Sequence, residues 1–256
     1  MTCENMLSQL IEVVTPRAAG ENRFVGRNMH PGAFRVYGGQ VLAQAVGAAV
    51  ATVADDRVIH SQHAYFLRPG DPRTPIVFEV ERARDGGSFS SRRVVALQND
   101  KAILVASMSF QQASRGDEYQ ADMPLVPPPE SLPNERQLSL EAGRLDESFM
   151  ITTGEDLDIR MVEPIDWNRP VPREPLLQAW MKTSGPVPDN RGLHHALLTY
   201  LSDAFLVDVC LIKHGTSFED PRWQIASLDH ALWFHEDFRV DDWLLHVVEA
   251  ERIGGG

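Results

Sequence analysis

The chain has 256 residues, 43% hydrophobic and 23% charged, with a net charge of -12. That is enough apolar material for a sizeable core, and the balance is wrong for a nucleic-acid surface, which needs clustered Lys and Arg. Two cysteines, Cys3 and Cys210, make neither a disulfide framework nor a CxxC metal site and suit a reducing compartment, so the expected location is the cytoplasm. No apolar run approaches the roughly 20 residues of a membrane-spanning helix, and Met1-Thr2-Cys3-Glu4 has neither a basic nor a hydrophobic leader pattern.

In chain order, a short amphipathic pattern covers Met6 to Val14, and a short strand is expected at Arg23-Phe24-Val25-Gly26. Gly38 to Ala51 then reads as a helix with small or apolar residues on nearly every face, so it is expected to be buried all round. Four runs rich in β-branched and apolar residues follow: Val58 to Leu67, Ile76 to Arg84, Phe89 to Gln98 and Ala102 to Gln111. Pro69-Gly70-Asp71-Pro72, Asp85-Gly86-Gly87 and Asn99-Asp100 separate them as loop and hairpin signals. A buried helix followed by an antiparallel meander implies a sheet curled around that helix.

Residues 113–170 differ, with seven prolines and 13 Asp and Glu against 5 Arg and no Lys. They read as an acidic linker with one helix around Gln137 to Leu145. Beyond it the first outline returns: a strand at Leu176 to Thr183, a second apolar helix at His194 to Val209, and strands at Trp223 to Phe234 and Trp243 to Ile253. The chain is thus expected to hold two units, 1–112 and 171–256, joined by 113–170. The second shows two strand runs after its helix where the first shows four.

Asp203 is the most conspicuous candidate for chemistry. It falls in the apolar stretch Leu197 to Val207, and burying a carboxylate without partners costs several kcal/mol. Either it finds solvent or a salt bridge near the helix end, or it is a buried acceptor that orients a water or a hydroxyl. Strand alternation puts Ser227 on one face with Trp223, Ile225 and Asp229. Gly86-Gly87-Ser88-Phe89-Ser90 and Gly215-Thr216-Ser217-Phe218-Glu219 approach a nucleophile elbow, but both lack its closing glycine. His60 and His63 lie three apart on a strand, which points them to opposite faces and argues against a shared metal ion. No dinucleotide or P-loop glycine pattern is present, so no cofactor is expected. Arg68, Arg82, Arg84, Arg92 and Arg93 could meet phosphates or simply form a solvated strand face.

Several blocks closely resemble the acyl-CoA thioesterase II family. They are Val36-Tyr37-Gly38-Gly39-Gln40-Val41, His60 through Asp71 (containing Phe66-Leu67-Arg68-Pro69-Gly70-Asp71), Ser88 to Val94, Ser202-Asp203, and Ile225 to His235. The resemblance implies an α+β double hotdog, two curved antiparallel sheets each wrapped around a long buried helix. It further implies hydrolysis of acyl-CoA to fatty acid and CoA by a bound water that an Asp, a Thr or Ser, and a Gln activate. Asp203 matches the Asp and Ser227 the Thr/Ser position. The Gln lies on a closing strand with no counterpart up to Gly256, so the second unit is expected to lack its last strands and the third member of the set. Acyl-CoA is then the expected partner, with neither nucleic acid nor a membrane span, and a homo-oligomer is compatible with the arrangement. A catalytically silent acyl-CoA-binding shell and a serine hydrolase using Ser88 or Ser217 are the competing readings.

Overall fold

The structure, a computed structural model, describes residues 3–114, 116–143, 154–218 and 220–254. Helix α1 (Cys3–Val14) precedes strands β1 (Arg17–Ala18) and β2 (Arg23–Gly26), helix α2 (Gly38–Val50), and the meander β3 (Arg57–Phe66), β4 (Ile76–Asp85), β5 (Phe89–Gln98) and β6 (Lys101–Gln112). Each strand of the meander matches its expected span to within a residue at either end. Strict alternation explains this: Ile76, Phe78 and Val80 on β4 and Leu104, Ala106, Met108 and Phe110 on β6 are buried, while intervening residues face outward. The Asn99-Asp100 pair joins β5 to β6 with both φ angles positive, 48° and 59°, the two-residue turn that suits the twist of a hairpin.

Helix α2 lies against this sheet and is buried almost all round, as its small-residue composition requires. Its two glutamines are accommodated because both are hydrogen-bonded. Gln44 Nε2 donates to Val13 O (3.0 Å) and Arg27 O (2.7 Å), while Gln40 Oε1 accepts from Met29 N (3.0 Å). A buried amide left without partners would cost about 1–3 kcal/mol, so these bonds fix where α1 and the β2 exit meet the helix. Arg92 is also buried, contrary to a solvated strand face. Its guanidinium donates to Thr52 Oγ1 (2.8 Å), Thr52 O (2.9 Å) and Asp85 Oδ1 (2.6 Å), tying the end of α2 to a bulge between β4 and β5.

After a single 3-10 turn (Pro129–Ser131) come α3 (Glu135–Glu141), β7 (Leu157–Met161), β8 (Leu176–Thr183), α4 (Arg191–Ser202), α5 (Asp208–Lys213), β9 (Asp229–Trp233) and β10 (Leu244–Glu249). The second run repeats the first as far as it goes, β8 lying between β7 and β10 as β2 lies between β1 and β4. Four differences from expectation emerge. The stretch read as linker contains β7, paired with β8, and its helix is α3; residues 144–145 of that expected helix lie outside the described residues. The single helix expected over His194 to Val209 is two, because Phe205 takes a left-handed φ of 64° and breaks the ladder. The strand expected from Trp223 begins only at Asp229, residues 223–228 running without a sheet partner. Finally, β9 pairs with β3, so the first sheet has seven strands, β1-β2-β4-β5-β6-β3-β9, and β10-β8-β7 forms a separate one. Helices α2 and α4 pack antiparallel, the start of each against the end of the other.

Candidate active site

The start of α2 meets the end of α4. Asp203 terminates α4, and its Oδ2 accepts the backbone N–H of Gly39 at 2.8 Å. Tight approach makes glycine necessary on the α2 side. A Cβ at Gly38 would stand 2.8 Å from Asp203 Oδ2 and 3.0 Å from Phe66 Cζ, and one at Gly39 would stand 2.6 Å from the carbonyl of Tyr200. The paired glycines of Tyr37-Gly38-Gly39 are therefore the sequence mark of this junction. The N-cap residue Tyr37 offers no side-chain cap to the first turn of α2, and Asp203 takes that place, its carboxylate facing the positive end of the helix dipole.

Asp203 is half-buried, and desolvation pushes its carboxyl up to about 7, against the opposing pull of the Gly39 N–H and of Arg35. At neutral pH such a group is divided between acid and base forms, the state suited to exchanging a proton with a reactant. Tyr37 and Tyr200 meet edge to face at 5.1 Å beside it. Burial first, and then the Asp203 charge, holds the Tyr37 phenol well above its ordinary value, so Tyr37 stays protonated as a donor.

Ser227 is exposed on the unpaired stretch leading into β9. The carbonyl of its neighbour Leu228 accepts the N–H of Phe66 at 2.9 Å, and the Phe66 ring adjoins the Gly38–Asp203 contact. The two side chains are not hydrogen-bonded to one another among the described residues. Ser88 and Ser217 lie on loops, neither bonded to a histidine among the described residues. Ser202 does approach a histidine, with Oγ 3.2 Å from His230 Nε2, but its hydroxyl donates to Thr199 O at 2.9 Å, which leaves it an acceptor for the ring N–H. That pair lines a cleft of about 430 Å³ bounded by α4, β9 and β10, whose walls include Met181, Leu198, Leu232 and Leu244.

His60 and His63 have separate partners, Ser109 Oγ at 2.8 Å and the Trp233 ring at 5.0 Å. A bulge between Ile59 and Ser61 interrupts the alternation on which their opposite facing was expected. Arg68 and Arg82 are likewise engaged, with Ala102 O and Asn22 Oδ1. Sequence reasoning singled out Asp203 but missed the backbone of Gly39 and the phenol of Tyr37, for which Tyr-Gly-Gly at a helix start was the available signal.

Comparison with known proteins agrees with this architecture. The family described as "Acyl-CoA thioesterase N-terminal domain" matches residues 26–111, and "Acyl-CoA thioesterase" matches residues 168–255. Acyl-CoA thioesterase 2 of Haemophilus influenzae is 32% identical over 257 residues, covering 98% of this chain and 89% of that protein. The human acyl-coenzyme A thioesterase 8 is 34% identical over 251 residues, covering 92% of this chain and 76% of that protein. The crystal structure of acyl-CoA thioesterase II TesB2 from Mycobacterium marinum superposes with a TM-score of 0.77 at 35% identity, covering 96% of this chain and 88% of that one. A protein with hot dog fold from Alicyclobacillus acidocaldarius, only 18% identical, reaches a TM-score of 0.76 over 96% of this chain and 88% of its own, which extends the likeness of fold beyond that of sequence. With a relative 32% identical over 98% of this chain and two matching family models, the chain belongs to the acyl-CoA thioesterase family.

Proposed function

We propose that the protein hydrolyses acyl-CoA thioesters to a free fatty acid and CoA by direct attack of water. The observation that carries this reading is Asp203, a carboxyl poised near neutrality and bonded to the Gly39 N–H at the start of α2, in a chain of this family. The ionised carboxylate takes a proton from a water as the water's oxygen adds to the thioester carbonyl. Charge then develops on the carbonyl oxygen, and the Gly38 N–H at the positive end of α2 is the donor placed to receive it, the N–H groups of Gly39, Gln40 and Val41 being bonded already. Collapse expels the CoA thiolate, whose sulfur needs little help to leave. Ser227, one residue before the Leu228 carbonyl that bonds Phe66, supplies a second hydrogen bond to the water in this reading.

The reading extends to the wider setting. Residues 1–112 and 171–256 serve as the two hotdog units, with 113–170 between them lending β7 to the second sheet, and the substrate and product place the enzyme in fatty-acid metabolism in the cytoplasm. Among the described residues no helix is long and apolar enough to cross a membrane. Release of free thiol from a series of acyl-CoA esters tests the proposal. Turnover is expected with at least one chain length, and Asp203→Ala should lower kcat by about a thousandfold, within the usual range for removing a general base. Binding of acyl-CoA with no turnover at any chain length would instead leave a silent binding shell.

A further inference from the structure

A helix leaves its last four carbonyls without intrahelical partners, and a buried end needs each of them satisfied. At the end of α4 the partners are unusual. Thr199 O accepts the Ser202 hydroxyl at 2.9 Å and Leu201 O the N–H of Ala204 at 3.0 Å, but Tyr200 O accepts the Tyr37 phenol at 3.1 Å. One residue past Asp203, Ala204 O accepts His246 Nε2–H from β10 at 3.1 Å. The carboxylate thus sits between two side-chain clamps, one from the segment preceding α2 and one from the second sheet. The next residue, Phe205, is buried and held at φ 64°, a conformation costly for a bulky side chain that persists only where surroundings over-determine it.

We propose that Tyr37, assisted by His246, is a positioning residue: its hydroxyl holds the last turn of α4 so that Asp203 keeps its contact with the Gly39 N–H. Tyr37 touches no reacting atom in this scheme. It grips a backbone carbonyl three residues before the carboxylate and packs its ring against Gly39, where a Cβ would stand 2.5 Å from Tyr37 Cε1. The same side chain therefore fixes both ends of the Gly39–Asp203 bond. Loss of the phenolic hydrogen bond lets the turn relax, lengthens the bond to Gly39 and makes the carboxylate harder to ionise. The charged and titratable groups around Asp203 are Arg35 from the loop before α2, Tyr37 itself, Tyr200 from α4, Asp208 from α5, acting through Tyr37, and His246 from β10.

The proposal rests on the hydrolytic reading for its kinetic arm and is independent of it in its titration arm. Tyr37→Phe keeps the ring and removes the hydroxyl. Its kcat should fall about tenfold with KM within about twofold, and the acid limb of its pH profile should move up by about one pH unit, a tenfold change in one ionisation equilibrium. Gln44→Met, which loses three hydrogen bonds, to Gln40, Val13 O and Arg27 O, none of them to Asp203, should lower Tm without moving that limb. A 13C NMR titration of the Asp203 carboxyl, assigned by its absence in Asp203→Asn, should show the same upward shift in Tyr37→Phe whether or not the protein turns over. An unshifted Asp203 titration overturns the clamp. So does a kinetic loss that merely follows Tm as in Gln44→Met. Absence of thioester hydrolysis in the unmodified protein would overturn the functional reading, with the NMR shift still deciding the clamp.

Discussion

The molecule contains two helix-end junctions of the same construction and opposite chemistry. At one, Gly39 near the start of α2 meets Asp203 at the end of α4; at the other, Gly192 near the start of α4 meets Val50 at the end of α2. The repeat makes the correspondence residue by residue, since Asp203 follows Gly192 by the same eleven positions that separate Val50 from Gly39. Close packing is preserved at both, a Cβ at Gly192 falling 2.5 Å from Val50 Cγ1. Only at the first is the residue that faces the glycine ionisable. The scaffold thus supplies the contact twice, and a single side-chain difference decides which end can move a proton.

Adding a methyl group to each glycine gives the largest contrast. Gly39→Ala drives a Cβ to within 2.6 Å of the Tyr200 backbone oxygen, which cannot move without shifting α4, whereas Gly192→Ala meets a side-chain methyl that can rotate. Urea denaturation should show a loss of about 2–3 kcal/mol for the first and about 1 kcal/mol or less for the second, partly offset in both by the better helix propensity of alanine. Equal losses would mean that the two junctions are equally pliable.

Protonation gives the next effect. Asp203 has a folded value of about 7, above its unfolded value, so between roughly pH 4 and 7 the folded state binds the extra proton. Stability from this group is full below the unfolded value and is lost as pH rises through the folded one. The Tm advantage of Asp203→Asn over the unmodified protein should therefore be near zero at pH 4, grow through the window and level off above pH 7. Val50→Ala should show a pH-independent difference. Asp156, raised by burial to about 6, titrates in both proteins and cancels in the comparison. A flat difference for Asp203→Asn would remove the poised carboxyl. The smallest effect is expected at exposed Ser227, where Ser227→Ala should change stability by less than about 0.5 kcal/mol. A fall in kcat of about tenfold, read by thiol release, would sharpen its assignment to the water; unchanged kcat would remove it.

What the sequence disclosed follows the range of the forces involved. The strands of the first meander and β8 were legible because alternation and turn chemistry are local, and α2 because its composition forbids a solvent face. Leu157–Met161 also alternates between buried and half-buried positions, but five residues carrying Asp158 and Arg160 in a proline-rich acidic stretch give too little signal. The break after Asp203 was invisible because Phe205 is driven left-handed by tertiary contacts and not by its own preference. Partner choice was the other loss: nothing local to Asp229–Trp233 says that it will bond to β3. At the site the carboxylate stood out as a charge in an apolar run. Its partner is the Gly39 N–H, and the phenol that holds its helix turn bonds Tyr200 O, both contacts more than 160 positions apart that only the packing of α2 on α4 creates.

The pairing of β9 with β3 bears on how the chain comes off the ribosome. Strand β3 is complete by residue 66, yet one of its two edges stays unsatisfied until residues 229–233 have emerged. Throughout synthesis of the intervening segment, a nearly finished six-stranded sheet exposes a row of unpaired backbone groups, ready to recruit any extended chain nearby. The join that makes one continuous sheet also makes the first meander dependent on residues 229–233. Folding is therefore expected to close late and from the C-terminal side, with the strand edge shielded until then by chaperones or by speed of elongation.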